Sequence, residues 1–178
     1  LQVLAIAKEA GDKIMEIYDR DFAIYEKQDT SPLTEADLAA HKSIVAGLKA
    51  ISELPILSEE SADISWEERK TWDKYWLVDP LDGTKEFIKK NGEFTVNIAL
   101  IDGGKPIMGV VYAPALSKSY VGIVGQGAWT ETAAGVNPIS AKPHQPGELW
   151  KVVGSRSHQS PEIQNLLAQL EGETELVA

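Results

Sequence analysis

A run of apolar residues, Tyr75-Trp76-Leu77-Val78, leads without a break into Asp79-Pro80-Leu81-Asp82-Gly83-Thr84. The run reads as a strand covered on both faces, because a strand with one wet face alternates apolar and polar positions. Pro80 has no N–H to give to a ladder and is expected to stop it. Asp79 then sits at the carboxyl end of the strand, with Asp82 three residues on, and both carboxylates can converge on one point. Gly83 allows close approach of backbone to a ligand. Residues 84–88 read as a helix whose first N–H groups face the same point, which makes an anion site. Acids and N–H donors share a site sensibly when hard cations lie between the acids and a phosphate. Mg²⁺ prefers oxygen ligands and keeps waters and substrate phosphate in its shell. The bland alternative is that Asp82 or Thr84 N-caps a helix and Asp79 opens a turn.

Two further acids come into question. Glu59-Glu60-Ser61 follows Ile56-Leu57 at the end of another predicted strand. By itself that is a solvated acidic loop; beside Asp79 and Asp82, Glu59 becomes a candidate metal ligand. Asp37 lies three residues after Thr34, the expected N-cap of a helix over 34–51, in an acidic variant of the capping box. Asp37, His41, Ile44, Leu48 and Ile51 share one stripe at 4-3-4-3 spacing, so Asp37 points inward with the core face. An inward acid needs a partner.

The remaining chain frames these residues. Val3, Ala7, Ala10, Ile14 and Ile17 mark an amphipathic helix over 2–19. A short strand is expected over 22–27 and another over 55–58. Phe94, Val96, Ile98 and Leu100 form one face of a strand over 94–101. Asp102-Gly103-Gly104-Lys105 is a hairpin turn. Further strands are expected over 107–112, 119–124, 128–132 and 150–154, and Ser160-Pro161 opens a last helix with Pro at N1. Two helices followed by a strand-rich meander predict an α+β layered sandwich, helices on a largely antiparallel sheet. The expected division is 1–150 as a metal- and phosphate-binding domain and 151–178 as the start of a second α/β domain. The strand opening near Thr174 suggests that more protein follows Ala178.

Composition excludes several classes. With 17 basic and 27 acidic residues the formal charge is −10, which disfavours polymeric nucleic acid as a partner. A small anionic substrate stays possible because bound cations invert the local field. There is no cysteine and there are three histidines, so disulfides and thiolate metal sites are excluded and a zinc site is not expected. No apolar run reaches the roughly 20 residues of a membrane span, and the expected setting is the cytoplasm.

Ser31-Pro32-Leu33-Thr34-Glu35-Ala36-Asp37, then Ser58-Glu59-Glu60, then Asp79-Pro80-Leu81-Asp82-Gly83-Thr84 occur in the order and context of the inositol monophosphatase superfamily. Gly83-Thr84-Lys85-Glu86-Phe87 and Asn91-Gly92-Glu93-Phe94-Thr95-Val96-Asn97 resemble its bacterial bisphosphate nucleotidase branch, and Ser155-Arg156-Ser157-His158 continues the likeness. The resemblance implies a lithium-sensitive phosphomonoesterase using two or three Mg²⁺ ions. It would hydrolyse 3′-phosphoadenosine 5′-phosphate to AMP and phosphate, in the cytoplasm or peripherally on the inner face of the cytoplasmic membrane. It implies that Glu59, Asp79, the Leu81 carbonyl and Asp82 hold metal, and that Asp37 and Thr84, with Glu59, act on the attacking water. Glu59, Leu81, Asp82, Gly83, Thr84, Ser155 and His158 would contact substrate. The family's W-D-x-A-A-G metal motif is not in this chain, which implies a truncated second half. Inositol-phosphate or fructose-bisphosphate hydrolysis is the alternative within the class, and a non-catalytic metal- or nucleotide-binding module the alternative outside it.

Overall fold

The computed structural model describes residues 1–26, 32–61, 64–154, 161–170 and 172–177. It divides into two compact units, Leu1–Ser140 and Ala141–Ala178. In chain order the first unit holds α1 (Gln2–Tyr18), β1 (Ile24–Glu26), β2 (Pro32–Thr34), α2 (Glu35–Ile51), β3 (Ile56–Ser58), α3 (Trp66–Arg69), β4 (Lys74–Asp82) and α4 (Thr84–Ile88). It continues with β5 (Thr95–Asp102), β6 (Lys105–Ala113), β7 (Lys118–Ile123), β8 (Gly127–Thr132) and β9 (Gly135–Ile139). The second unit holds β10 (Trp150–Val153), α5 (Pro161–Gln169) and β11 (Thr174–Val177). In it β10 and β11 pair in parallel and His144 stacks on Trp150.

Strands β3 to β9 form a sheet in sequence order. β3 runs parallel to β4, and every later pair is antiparallel. The expected layered α+β architecture is therefore present, with β9, β2 and α3 added to the elements read from sequence. The apolar stripe of α1 is buried throughout, as are Ala40, Ile44 and Leu48 of α2. These stripes pack against each other and against β4, β5 and β6. Gly11 permits the approach of α1 to the sheet, since a Cβ there would lie 2.4 Å from the Tyr112 ring. Ile51, expected on the core stripe of α2, ends the helix 36% exposed.

β4 departs from the sequence reading twice. Trp76 and Val78 are buried but Leu77 is 42% exposed. Among the described residues the strand therefore has one covered face, and its apolar run does not mark burial on both sides. Nor does Pro80 end the ladder. Asp79 pairs with Asn97, the register then shifts, and Asp82 pairs with Thr95. Two steps on β5 thus oppose three on β4, which is a β-bulge. Pro80 and Leu81 are both buried in succession, so the missing Pro N–H falls where pairing is already broken.

Beneath the bulge an aromatic cluster holds α4. Phe87 and Phe94 are buried, their centroids 5.2 Å apart, with Tyr18 5.2 Å from Phe87 and 5.0 Å from Phe94. Lys90 extends its ammonium over the Tyr18 and Phe22 rings at 4.6 and 4.9 Å. Such contacts contribute about 0.5–1.5 kcal/mol each beyond area burial, and they tie α4 to the end of α1.

Candidate metal and phosphate site

The bulge decides which side chains meet. Along a regular strand, residues three apart lie on opposite faces. One extra residue between Asp79 and Asp82 restores the parity, and both carboxylates leave the core together while Leu81 turns in, 2% exposed. The third acid arrives by parallel pairing. Ser58 lies beside Val78 and the Glu59 N–H donates to the Val78 carbonyl over 3.0 Å, which brings Glu59 level with Asp79. His41 Nδ1 lies 2.9 Å from Ser58 Oγ and ties this strand end to α2.

Asp79 carries the electrostatic signature of the site. Its carboxyl is pushed up to about 7, first by burial and then by the negative charges of Glu59 and Asp82. It meets the Glu59 carboxyl and the Leu81 backbone N–H, while its Oδ1 is buried without a hydrogen-bond partner. A buried oxygen with no donor in a group of like charges is costly, and a hard cation would relieve both defects. Among the described residues no group of three or more His, Cys, Asp or Glu side chains is arranged as a metal-holding cluster. Mg²⁺ keeps waters and takes substrate oxygens rather than a full protein cage. Carboxylate oxygens with no sulfur or imidazole among them are hard-cation chemistry. The residues present therefore fit the ion that the sequence implied.

The second feature is a relay of hydroxyls. Asp37 is the N3 residue of α2 and is 1% exposed. Its Oδ2 accepts from the Thr34 N–H over 2.8 Å and from the Thr34 hydroxyl, closing the capping box. Its Oδ1 faces the Thr84 hydroxyl at 3.1 Å. That hydroxyl also lies 3.3 Å from the Leu81 carbonyl; with one hydrogen it serves the charged acceptor better. Burial raises the Asp37 pKa, and the Thr34 and Thr84 hydrogen bonds oppose that rise. Capping and inward pointing are thus both true of Asp37, one oxygen for each.

Gly83 joins the two features. Its φ is +95°, and a Cβ would lie 2.8 Å from the Glu93 carbonyl oxygen, so both conformation and space ask for glycine. It places Thr84 at the start of α4. This helix has five residues, so its unpaired first N–H groups, not a long dipole, are what it can offer an anion.

Asp37, Glu59, Asp79, Leu81, Asp82, Gly83 and Thr84 all belong to the first compact unit. Ser155 and His158 lie outside the described residues. Sequence reading missed the Thr34 hydroxyl as a second donor to Asp37, and missed Thr95 and Asn97 on the open face of β5. The signal for the last two was present: they alternate with buried Phe94, Val96 and Ile98. A cavity of about 670 Å³ opens on this face, lined by Glu59, Asp79 and Asn97 as well as by Leu77, Ala99 and Arg69.

The pattern of the inositol monophosphatase family matches residues 2–176. The chain belongs to the inositol monophosphatase family. It is 50% identical over 172 residues to the 3′(2′),5′-bisphosphate nucleotidase CysQ of Escherichia coli strain K12, covering 95% of this chain and 68% of that protein. The CysQ of Buchnera aphidicola is 42% identical over 176 residues, with coverage of 95% and 63%. The crystal structure of CysQ from Bacteroides thetaiotaomicron, described as a bacterial member of this family, superposes with a TM-score of 0.81 at 37% identity. That match covers 98% of this chain and 70% of the other. Among the described residues, no helix is long and apolar enough to cross a membrane.

Proposed function

We propose that the chain carries the catalytic metal site of a Mg²⁺-dependent 3′(2′),5′-bisphosphate nucleotidase, which hydrolyses 3′-phosphoadenosine 5′-phosphate to AMP and phosphate in the cytoplasm. Family membership supports a phosphomonoesterase, and the 50% identity to a named bisphosphate nucleotidase narrows the substrate. The observation that carries the chemistry is the buried, unpartnered Oδ1 of Asp79 beside Glu59 and Asp82.

In this reading Glu59, Asp79, the Leu81 carbonyl and Asp82 hold Mg²⁺, two or three ions in the complete site. The bound ions supply Lewis acidity at the phosphoryl oxygens and lower the pKa of a coordinated water. Asp37 holds Thr84 through the 3.1 Å bond, so that the threonine oxygen can accept a proton from the attacking water as its own proton passes to Asp37. The raised pKa of Asp37 suits a group that must take up a proton. The backbone N–H groups of Gly83 and Thr84 orient the phosphate, and Glu59 helps to place the water. Ser155 and His158 contact the nucleotide. Inhibition by lithium and a division near residue 150 into a metal-binding domain and the start of a second α/β domain belong to the same proposal.

The test is phosphate release from 3′-phosphoadenosine 5′-phosphate, inositol 1-phosphate and fructose 1,6-bisphosphate, each with Mg²⁺ and with EDTA. Preference for the adenosine bisphosphate, abolished by EDTA, supports the proposal. Preference for either sugar phosphate moves the substrate assignment. Release that survives EDTA removes the metal site.

A further inference from the structure

The bulge in β4 sets Asn97 opposite Asp79 and Thr95 opposite Asp82, on the face that both carboxylates share. Asn97 Nδ2 donates to Asp82 Oδ2 over 3.1 Å, and the Thr95 hydroxyl donates to Asn97 Oδ1 over 3.0 Å. The direction of this chain is forced. An ionised carboxylate can only accept, so the NH₂ end of the amide must face Asp82, which leaves the carbonyl end for Thr95. Thr95 thereby fixes which way the Asn97 amide points, and Asn97 fixes where the Asp82 carboxylate points.

Charge explains why an amide suits this position. Asp82 stands near Asp79 and Glu59, which already repel each other. A lysine or arginine here would neutralise Asp82 and compete with a divalent cation. A carboxylate would add repulsion, and an aliphatic residue would leave Asp82 to sample other rotamers. An amide held by a hydroxyl orients the carboxylate and leaves its charge intact.

We propose that Asn97, locked by Thr95, is a positioning residue that holds the Asp82 carboxylate in the orientation needed to bind a divalent cation, an inference that rests on the metal-binding role proposed for Asp82. Its loss weakens cation binding and leaves the chemical step intact once the site is filled. Hydrogen-bonding partners of metal-ligating groups typically contribute roughly 10–100-fold to affinity.

Wild type, Asn97→Ala, Thr95→Val and the double variant are titrated with Mg²⁺ by calorimetry without substrate. The Mg²⁺ dependence of phosphate release and the melting temperature of the metal-free protein are measured in parallel. Asn97→Ala should weaken Mg²⁺ binding by about tenfold or more, with kcat at saturating Mg²⁺ and the metal-free melting temperature close to wild type. Thr95→Val should shift affinity the same way by less. The double variant should be no weaker than Asn97→Ala, because Thr95 acts only through Asn97. Undiminished Mg²⁺ affinity in Asn97→Ala, or fully additive losses in the double variant, overturns the proposal and leaves the metal site standing. If Asn97→Ala does not fold, Thr95→Val decides, and unchanged affinity in that variant overturns it. A wild-type protein that binds no Mg²⁺ overturns this proposal together with the metal site.

Discussion

The Thr84 hydroxyl lies 3.1 Å from Asp37 Oδ1, across 47 positions of sequence. The aspartate is anchored from behind by the N–H and hydroxyl of Thr34, so its second oxygen has no freedom to seek another donor. A pair held in this way acts as one unit. Thr84→Ala should lower kcat by about 10²–10⁴-fold, the usual span of general-base assistance, with little change in KM. Asp37→Asn should do the same, and the two together should cost little more than either alone. Steady-state kinetics at saturating Mg²⁺ check this; a rise in KM with unchanged kcat would make Thr84 a binding residue only.

Asp79→Asn should lower activity by about 10³-fold or more, since a bound metal contributes several kcal/mol to the transition state. The same change should leave the metal-free protein as stable as wild type or more so, because it removes one charge from a repelling group. Added Mg²⁺ should raise the melting temperature of wild type and not of the variant. A variant that keeps its activity and its Mg²⁺-induced shift would place the ion elsewhere.

The pH dependence follows from the same residue. The Asp79 pKa is raised from 3.8 to about 7 in the folded chain. Between those values the folded state binds more protons than the unfolded state, so the contribution of this group to stability falls as pH rises. Its favourable effect is present below pH 3.8 and lost by about pH 7. A cation that favours ionised Asp79 opposes that loss. The rise in melting temperature produced by Mg²⁺ should therefore be larger at alkaline than at mildly acidic pH, and binding below neutrality should release a proton, measurable by calorimetry in buffers of different ionisation enthalpy. Equal Mg²⁺ shifts on both sides of neutrality would contradict the assignment.

Gly83→Ala combines a left-handed backbone with a Cβ 2.8 Å from the Glu93 carbonyl oxygen. The conformational cost alone is about 1–2 kcal/mol, which corresponds to a melting temperature lower by roughly 2–8 °C. Activity should fall further than stability, because relief of the contact displaces Thr84 from Asp37. Thermal melts beside kinetics separate the two effects.

Much of this was legible in the residues themselves. Helical stripes placed α1 and α2 because periodicity is a local property that survives any tertiary arrangement. Thr34 as N-cap with Asp37 at N3 is equally local, and the structure keeps it. The order Asp79-Pro80-Leu81-Asp82-Gly83-Thr84 announced two convergent acids before a short helix. The chain by itself did not disclose how they come to one side. Parity along β4 is set by pairing with β5, and the bulge that brings Asp79 and Asp82 together appears only when Asn97 and Thr95 supply the opposite register. Glu59 reaches Asp79 through a parallel pairing between strands about twenty residues apart, and the Thr84–Asp37 contact joins α4 to α2. Register and helix docking are decided by which apolar faces are buried against each other. That free energy depends on the whole sheet, so no local pattern contains it.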